Sequence, residues 1–282
     1  MRVFLLLLAI IPLIADEVEQ LPYGNFAVPA SQQPAPLVSF GQLILGKDVL
    51  QVLFDGNHFW GPHTGLTEFA PGLLYGISDR MSAIVFAPFL AENRQFDQSG
   101  AGMEDVLVEL EYAYYSHNTE TYTNGATVVG MITFPSGTPF KEPPTGFGAP
   151  SLFIGGTFSH MDRRQYLFFC PGALFPLDSE GTRFGKQFLY EFGYQHVIYA
   201  RSGQLLFAGM VELDGVYSGR NRIRSVTNPN SGGNVIWLTP SLWLSTKRWI
   251  VQGGLSFPLL EHLNGNQPKY DVGLYFAVSL TL

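Results

Sequence analysis

The residues with the most to offer chemically are seven carboxylates lodged in otherwise apolar or aromatic stretches: Glu68, Glu109, Glu111, Glu191, Glu212, Asp214 and Asp271. Gathered on one surface they would create a negative field or a charge network that braces a wall. Nucleophilic chemistry has weaker carriers. Ser116-His117-Asn118 holds a hydroxyl, an imidazole and an amide in one consecutive run, and reads as a polar turn. His58 and His63 could share a metal, but no carboxylate stands between them, and they read as a solvated loop. Cys170, within Phe168-Phe169-Cys170-Pro171, reads as a small buried apolar residue. The sequence contains no Gly-x-Ser-x-Gly elbow, His-Glu-x-x-His zinc helix or Gly-x-x-x-x-Gly-Lys phosphate loop. The expectation is therefore a protein that is not an enzyme and holds no metal or cofactor.

Setting the acids on one face requires long strands. From Tyr270 to the end, Tyr270, Val272, Leu274, Phe276, Val278, Leu280 and Leu282 take one parity, and Asp271, Gly273, Tyr275, Ala277, Ser279 and Thr281 take the other. The same split separates Val106-Val108-Leu110-Tyr112-Tyr114 from Asp105-Leu107-Glu109-Glu111-Ala113, and Phe207-Val211-Leu213 from Ala208-Met210-Glu212-Asp214. Period-two runs of ten to thirteen residues are long for a soluble sandwich and match tilted membrane-crossing strands. Twelve such segments run through 48–59, 64–76, 81–92, 104–116, 122–135, 148–159, 165–177, 186–199, 203–217, 233–245, 248–261 and 268–282. Short turns at 77–80, 116–121, 159–164, 200–202 and 245–247 alternate with longer connections at 93–103, 136–147, 178–185, 217–232 and 262–267. This predicts an all-β fold: an antiparallel transmembrane β-barrel of about 12 strands, with short periplasmic turns and longer outer loops. Trp60, Tyr115, Tyr199, Tyr217 and Trp249 near strand ends suit interfacial girdles.

Composition agrees. Of the 282 residues, 46% are hydrophobic and only 14% charged, and the 23 Phe and 13 Tyr favour strands. Residues 1–15 read as a secretory signal peptide: Arg2, an apolar run from Val3 to Ile14, then Ala15 before Asp16. Residues 16–47, rich in Pro, Gln and Ala, read as an extended periplasmic leader or lumen insert, and 48–282 as the barrel. A single cysteine allows no internal disulfide, and a net charge of −7 without a basic run argues against nucleic acid. The expected location is the bacterial outer membrane, with lipid, the barrel-assembly machinery and a small-molecule solute as partners.

Two resemblances follow from particular residues. The strand ending in Leu274, Phe276, Val278, Leu280 and Leu282 resembles the terminal signal by which outer-membrane barrels are taken up for assembly, with Leu282 where a Phe is usual. Gly102-Met103-Glu104-Asp105, Thr133-Phe134-Pro135-Ser136-Gly137, Pro240-Ser241-Leu242-Trp243 and Phe257-Pro258-Leu259 are similar to motifs of the outer-membrane transporter family named for the phenol meta-cleavage degradation pathway. That resemblance implies a barrel admitting small hydrophobic or aromatic molecules. Outer-membrane phospholipases are also twelve-stranded barrels, but the His-x-Ser-Asn-Gly segment is absent here.

A charge facing acyl chains is costly, so the acids are expected to point inward. The same parity carries Val129, Met131, Phe153, Met210, Trp237, Trp243 and Tyr275 into the lumen. The expected function is passive uptake through a narrow, partly apolar passage. Phe153, Trp237, Trp243 and Tyr275, with Glu109, Glu111, Glu191, Glu212, Asp214 and Asp271, would line it. Arg220, Arg222 and Arg224 are expected to fold from their loop toward the inward acids. The alternatives are a lipid-acting barrel enzyme and a structural or adhesive barrel.

Overall fold

The computed structural model describes residues 23–178 and 181–282. The expected signal peptide at 1–15 lies outside them. Alternation of apolar and small or polar side chains along extended backbone is the physical origin of the sheet, because each strand can then present an apolar face outward and a polar face inward. The first strands are β1 (Leu50–Gly61), β2 (Thr64–Ser78), β3 (Met81–Phe86), β4 (Phe89–Gln95), β5 (Gln98–Met103), β6 (Val106–Asn118) and β7 (Tyr122–Phe134). They are followed by β8 (Ser151–Asp162), β9 (Gln165–Pro176), β10 (Thr182–Arg183), β11 (Gln187–Arg201) and β12 (Leu205–Ser218). The last are β13 (Arg222–Ile223), β14 (Val226–Thr227), β15 (Gly233–Thr246), β16 (Trp249–Leu263) and β17 (Val272–Thr281).

Fourteen of these form one antiparallel sheet, in which β1 pairs with both β17 and β2, so the sheet closes on itself. Both β3 and β4 pair with β2, β3 pairs with β6, and β4 with β5. Each couple is therefore one stave with a break, at Ala87-Pro88 and at Glu104-Asp105, and the barrel has twelve staves. Pro88 cannot donate to a ladder, which accounts for the first break. At the second, Asp105 turns from the ladder to accept N–H bonds from Gly137 at 3.0 Å and Phe147 at 2.8 Å.

The twelve expected segments are the twelve staves, with ends displaced by a few residues; the stave expected at 148–159 begins at Ser151. One connection differs in kind. The loop expected at 93–103 is the β4–β5 hairpin, turning at Phe96-Asp97, with β4 paired to β2 as far as Gln95. The long connections lie at that same end, and β10, β13 and β14 form a small separate sheet there. Outward faces are apolar and exposed, as at Phe54, Leu73, Val85, Leu110, Leu152, Ile154, Phe169, Leu242, Val251 and Leu274.

Candidate functional site

Residues 23–47 enter from the end that carries the short turns and cross the lumen. Short 3₁₀ turns at Gly24–Ala27 and Ala30–Gln32 start the path. Asn25 Nδ2 donates to the carbonyls of Asp162 and Gln165, Gly203 N–H donates to Ala27 O, and Gln51 Nε2 donates to Ser31 O on the opposite wall. The chain then sweeps along the inner wall from β12 to β3. Glu212 accepts the backbone N–H groups of Leu37 (2.9 Å), Val38 (3.2 Å) and Ser39 (3.1 Å), and the Ser39 hydroxyl at 3.0 Å. Glu191 accepts from Phe40 N at 3.0 Å. Glu111 accepts from Gln42 N at 2.9 Å and Leu43 N at 2.8 Å. The sweep ends where Leu45 N–H meets Ser82 Oγ and Lys47 N–H meets Asp79.

These bonds explain how buried acids survive without cations. Glu111, Glu191, Glu212 and Asp214 are all buried. The ion pairs among the described residues are Arg94–Glu92 and Lys269–Glu261, far from these acids in sequence and involving none of them. A buried carboxylate is costly unless its lone pairs are used, and irregular backbone inside a barrel is costly unless its N–H groups are used. Each cancels much of the other. Thr127 and Ser39 hydroxyls add to Glu111 and Asp214, and Thr239 donates to Asp214 at 3.2 Å.

Shape reinforces the fit. Gly41 sits at φ +77° and Gln42 at φ 64°, so the chain turns sharply between the Glu191 and Glu111 anchors. A Cβ on Gly41 would come within 2.4 Å of Thr157 Cγ2. Gly155 and Gly172 face each other across β8 and β9, and the Phe40 and Phe153 rings, 4.7 Å apart edge to face, fill the space above them.

The expected lining residues divide accordingly. Phe153 packs on Phe40, and Trp243 belongs to a buried cluster with Val28, Val197, Leu206, Ala208 and Ile250, so the N-terminal segment covers both. Trp237 and Tyr275 stay on the uncovered side, each 5.4 Å from Phe59, as is Tyr270. Glu111, Glu191, Glu212 and Asp214 face inward but hold the segment, while Glu109 is buried in the wall and its carboxylate has no hydrogen bond among the described residues. Asp271 is a correction: it precedes β17, is exposed, and donates its N–H to Trp60 O, so it lines nothing. Arg220, Arg222 and Arg224 are a second. All three are exposed, Arg222 lies in the small outer sheet, and none pairs with an inward acid, because backbone N–H groups already occupy those acids. Leu274, Phe276, Val278 and Leu280 take the outward parity of β17, and Leu282 is exposed just past its end. Ser116 Oγ donates to Asn118 Oδ1 at 3.2 Å instead of engaging His117, so no hydrolytic triad forms there. His58 Nδ1 lies 2.6 Å from Thr67 Oγ1 on the strand wall, so it is not a loop residue.

Against the segment lies a cavity of about 220 Å³. Leu37 and Val38 form its inner side, and Asp55, Asn57, Glu68, Ala70 and Tyr275 are among its wall residues. Asp55, Asn57, Phe59 and Tyr270 were not among the expected site residues. The signal existed in the alternation Asp55-Asn57-Phe59 against Phe54-Gly56-His58-Trp60, where a lone acid marks the inward parity.

No known family model matches the chain, and no curated protein is detectably similar to it in sequence. The resemblance to the phenol-pathway transporters thus remains one of short motifs, and no family is shown by it. Among solved structures the fold is shared with an outer membrane channel from Pseudomonas putida F1, at 14% identity and a TM-score of 0.68, over 87% of this chain and 100% of that one. It is also similar to the NanC porin, at 12% identity and a TM-score of 0.51, over 82% of this chain and 100% of that one. The chain has the closed, twelve-staved antiparallel barrel fold that these outer-membrane channel structures share.

Proposed function

We propose that this chain is an outer-membrane channel for passive, gradient-driven passage of small hydrophobic or aromatic molecules, along the part of the lumen that the N-terminal segment leaves free. The observation that carries the reading is the division of the lumen: one wall is covered by residues 37–45, and the other keeps a cavity of about 220 Å³ lined in part by Tyr275, whose ring belongs to an aromatic group with Phe59, Trp237 and Tyr270. Flat apolar solutes gain contact with such rings, and several weak sites in series permit release. The exposed apolar outer face supports a lipid surround, the leader at 1–15 supports delivery across the inner membrane, and the final strand supports engagement of the assembly machinery. The shared fold with an outer membrane channel and a porin, and the motif resemblance to phenol-pathway transporters, point the same way.

Uptake of a labelled monoaromatic compound into liposomes holding the folded protein tests this. Uptake above that of empty liposomes, reduced in Trp237→Ala/Tyr275→Ala, is expected. Wild-type uptake equal to that of empty liposomes overturns it.

A further inference from the structure

We propose that the outer surface of the barrel, at its short-turn end, binds one anionic phospholipid, with the headgroup phosphate held by Lys247 and Arg248 and the acyl chains lying on the wall of β12, β15 and β16. The inference goes beyond the channel reading and shares with it only the membrane-embedded barrel. The turn joining β15 to β16 carries Lys247 and Arg248 at its tip and Trp249 at its exit, and the adjacent β11–β12 turn carries Arg201 and Gln204. All five are exposed. Neither turn contains an acid, and none of the three cations is in an ion pair among the described residues. The other short turns each hold an acid: Asp79 beside Arg80, Glu120, and Asp162 beside Arg163 and Arg164. Positive charge without an internal counter-charge is thus confined to one sector of the rim, where an anionic headgroup is the complement.

Two further observations point to a lipid. An open cavity of about 460 Å³ lies in this sector, lined by Gln204, Thr246, Lys247, Arg248 and Trp249. At roughly 30 Å³ per liquid water it has the volume of about fifteen waters, enough for a glycerophosphate headgroup. Thr246 Oγ1 accepts the N–H groups of Trp249 at 3.1 Å and Arg248 at 3.4 Å, which fixes the tip that carries the two cations. Trp249 is half exposed on the outward parity, opposite Leu280, so its ring can lie against chains while its N–H stays at headgroup level. The second observation is the shape of the wall beyond it. Cross-strand register sets Phe207, Leu244 and Val251 in one outward row and Gly209, Leu242 and Gly253 in the next. Leu242 projects, 54% exposed, between two glycines. Within 4 Å a Cβ at Gly209 would meet only Ile198 Cδ1, at 3.6 Å, and one at Gly253 only Tyr275 O, at 3.7 Å. Gly56, farther along the same row, is by contrast already filled by the Phe276 ring. Two side-chain-free grooves therefore flank Leu242, about 13 Å along β16 from Trp249, where the two chains of a lipid seated at the cavity would run.

The test uses the full folded protein in detergent micelles carrying equal amounts of phosphatidylglycerol and phosphatidylcholine with identical chains, read by native mass spectrometry. One phosphatidylglycerol retained per chain is expected, with phosphatidylcholine retained about ten-fold less. Retention of phosphatidylglycerol should fall about ten-fold or more in Lys247→Ala/Arg248→Ala, and about three-fold or more in Gly253→Leu, which fills a groove and leaves every charge in place. Arg80→Ala, which removes a cation from a turn that holds an acid, should retain the lipid like wild type. Gel mobility before and after heating reports whether each variant has folded. Equal retention of the two lipids by wild type, unchanged phosphatidylglycerol retention in either the folded double variant or folded Gly253→Leu, or an equal loss in Arg80→Ala, overturns the inference. Liposome uptake of the monoaromatic compound separates the two readings: retention without uptake leaves the lipid site and removes the channel, and uptake without retention does the reverse.

Discussion

Replacing Glu212 by alanine removes the densest anchor of the N-terminal segment. Its carboxylate holds three consecutive backbone N–H groups and one hydroxyl between 2.9 and 3.2 Å. A buried N–H deprived of its acceptor costs about 1–3 kcal/mol, so three cost about 3–9 kcal/mol before any water enters. Water admitted from the lumen offsets part of this, and the low end, about 3 kcal/mol, corresponds to roughly a hundred-fold change in the detachment equilibrium. Hydrogen–deuterium exchange of peptides spanning 37–43 reads that equilibrium directly. In Glu212→Ala, protection at Leu37, Val38 and Ser39 should fall by about two orders of magnitude while the barrel strands keep theirs. Glu109→Ala is the matched control, since Glu109 is equally acidic and buried but touches no N–H of the segment. Unchanged exchange at 37–39 in Glu212→Ala, or an equal loss in Glu109→Ala, would refute the view that carboxylate-to-backbone bonds hold the segment in place.

Gly41→Ala should weaken the turn between the Glu191 and Glu111 anchors by about 1–2 kcal/mol or more, because φ there is +77° and the new Cβ meets Thr157; faster limited proteolysis of residues 37–45 is the readout. Gly155→Val should displace the Phe40 ring and raise single-channel conductance, measured in planar bilayers; an unaltered conductance counts against a snug seat for Phe40. Replacing Arg220, Arg222 and Arg224 together by alanine should leave conductance and ion selectivity as in wild type, since all three are exposed and hold no inward acid. Ile154→Arg, on the outward face of β8, should destabilise the lipid-embedded barrel by about 2–4 kcal/mol in urea titrations, whereas Phe140→Arg, outside the staves, should not.

The barrel was legible because strand parity is a local property. Each stave carries its own inward and outward sets, so Glu109 and Glu111 against Leu110 and Tyr112 reveal a facing without knowledge of any partner strand. Alternating connection lengths then fix the up-and-down order. The misread loop at 93–103 also has a local cause: Gly100 and Gly102 disguise a strand whose pairing partner, β4, supplies the evidence for it.

A lumen insert at 16–47 was one of two readings of the sequence, but what holds it there was not legible, because that depends on pairings between residues far apart in the chain. Nothing near Glu212 announces that its partners are the backbone N–H groups of Leu37, Val38 and Ser39, 173 to 175 positions away. Backbone donors carry no sequence signature, so side chains alone point to cations such as Arg220, Arg222 and Arg224 as the partners of these acids. The sequence by itself determined twelve alternating strands and the inward parity of Glu111, Glu191, Glu212 and Asp214. Only the tertiary structure decided that one wall's acids are bound by the chain's own N-terminal segment while Asp55, Asn57 and Glu68 on the other face a cavity, because that choice is made by three-dimensional register and by the free energy of leaving no buried donor without an acceptor.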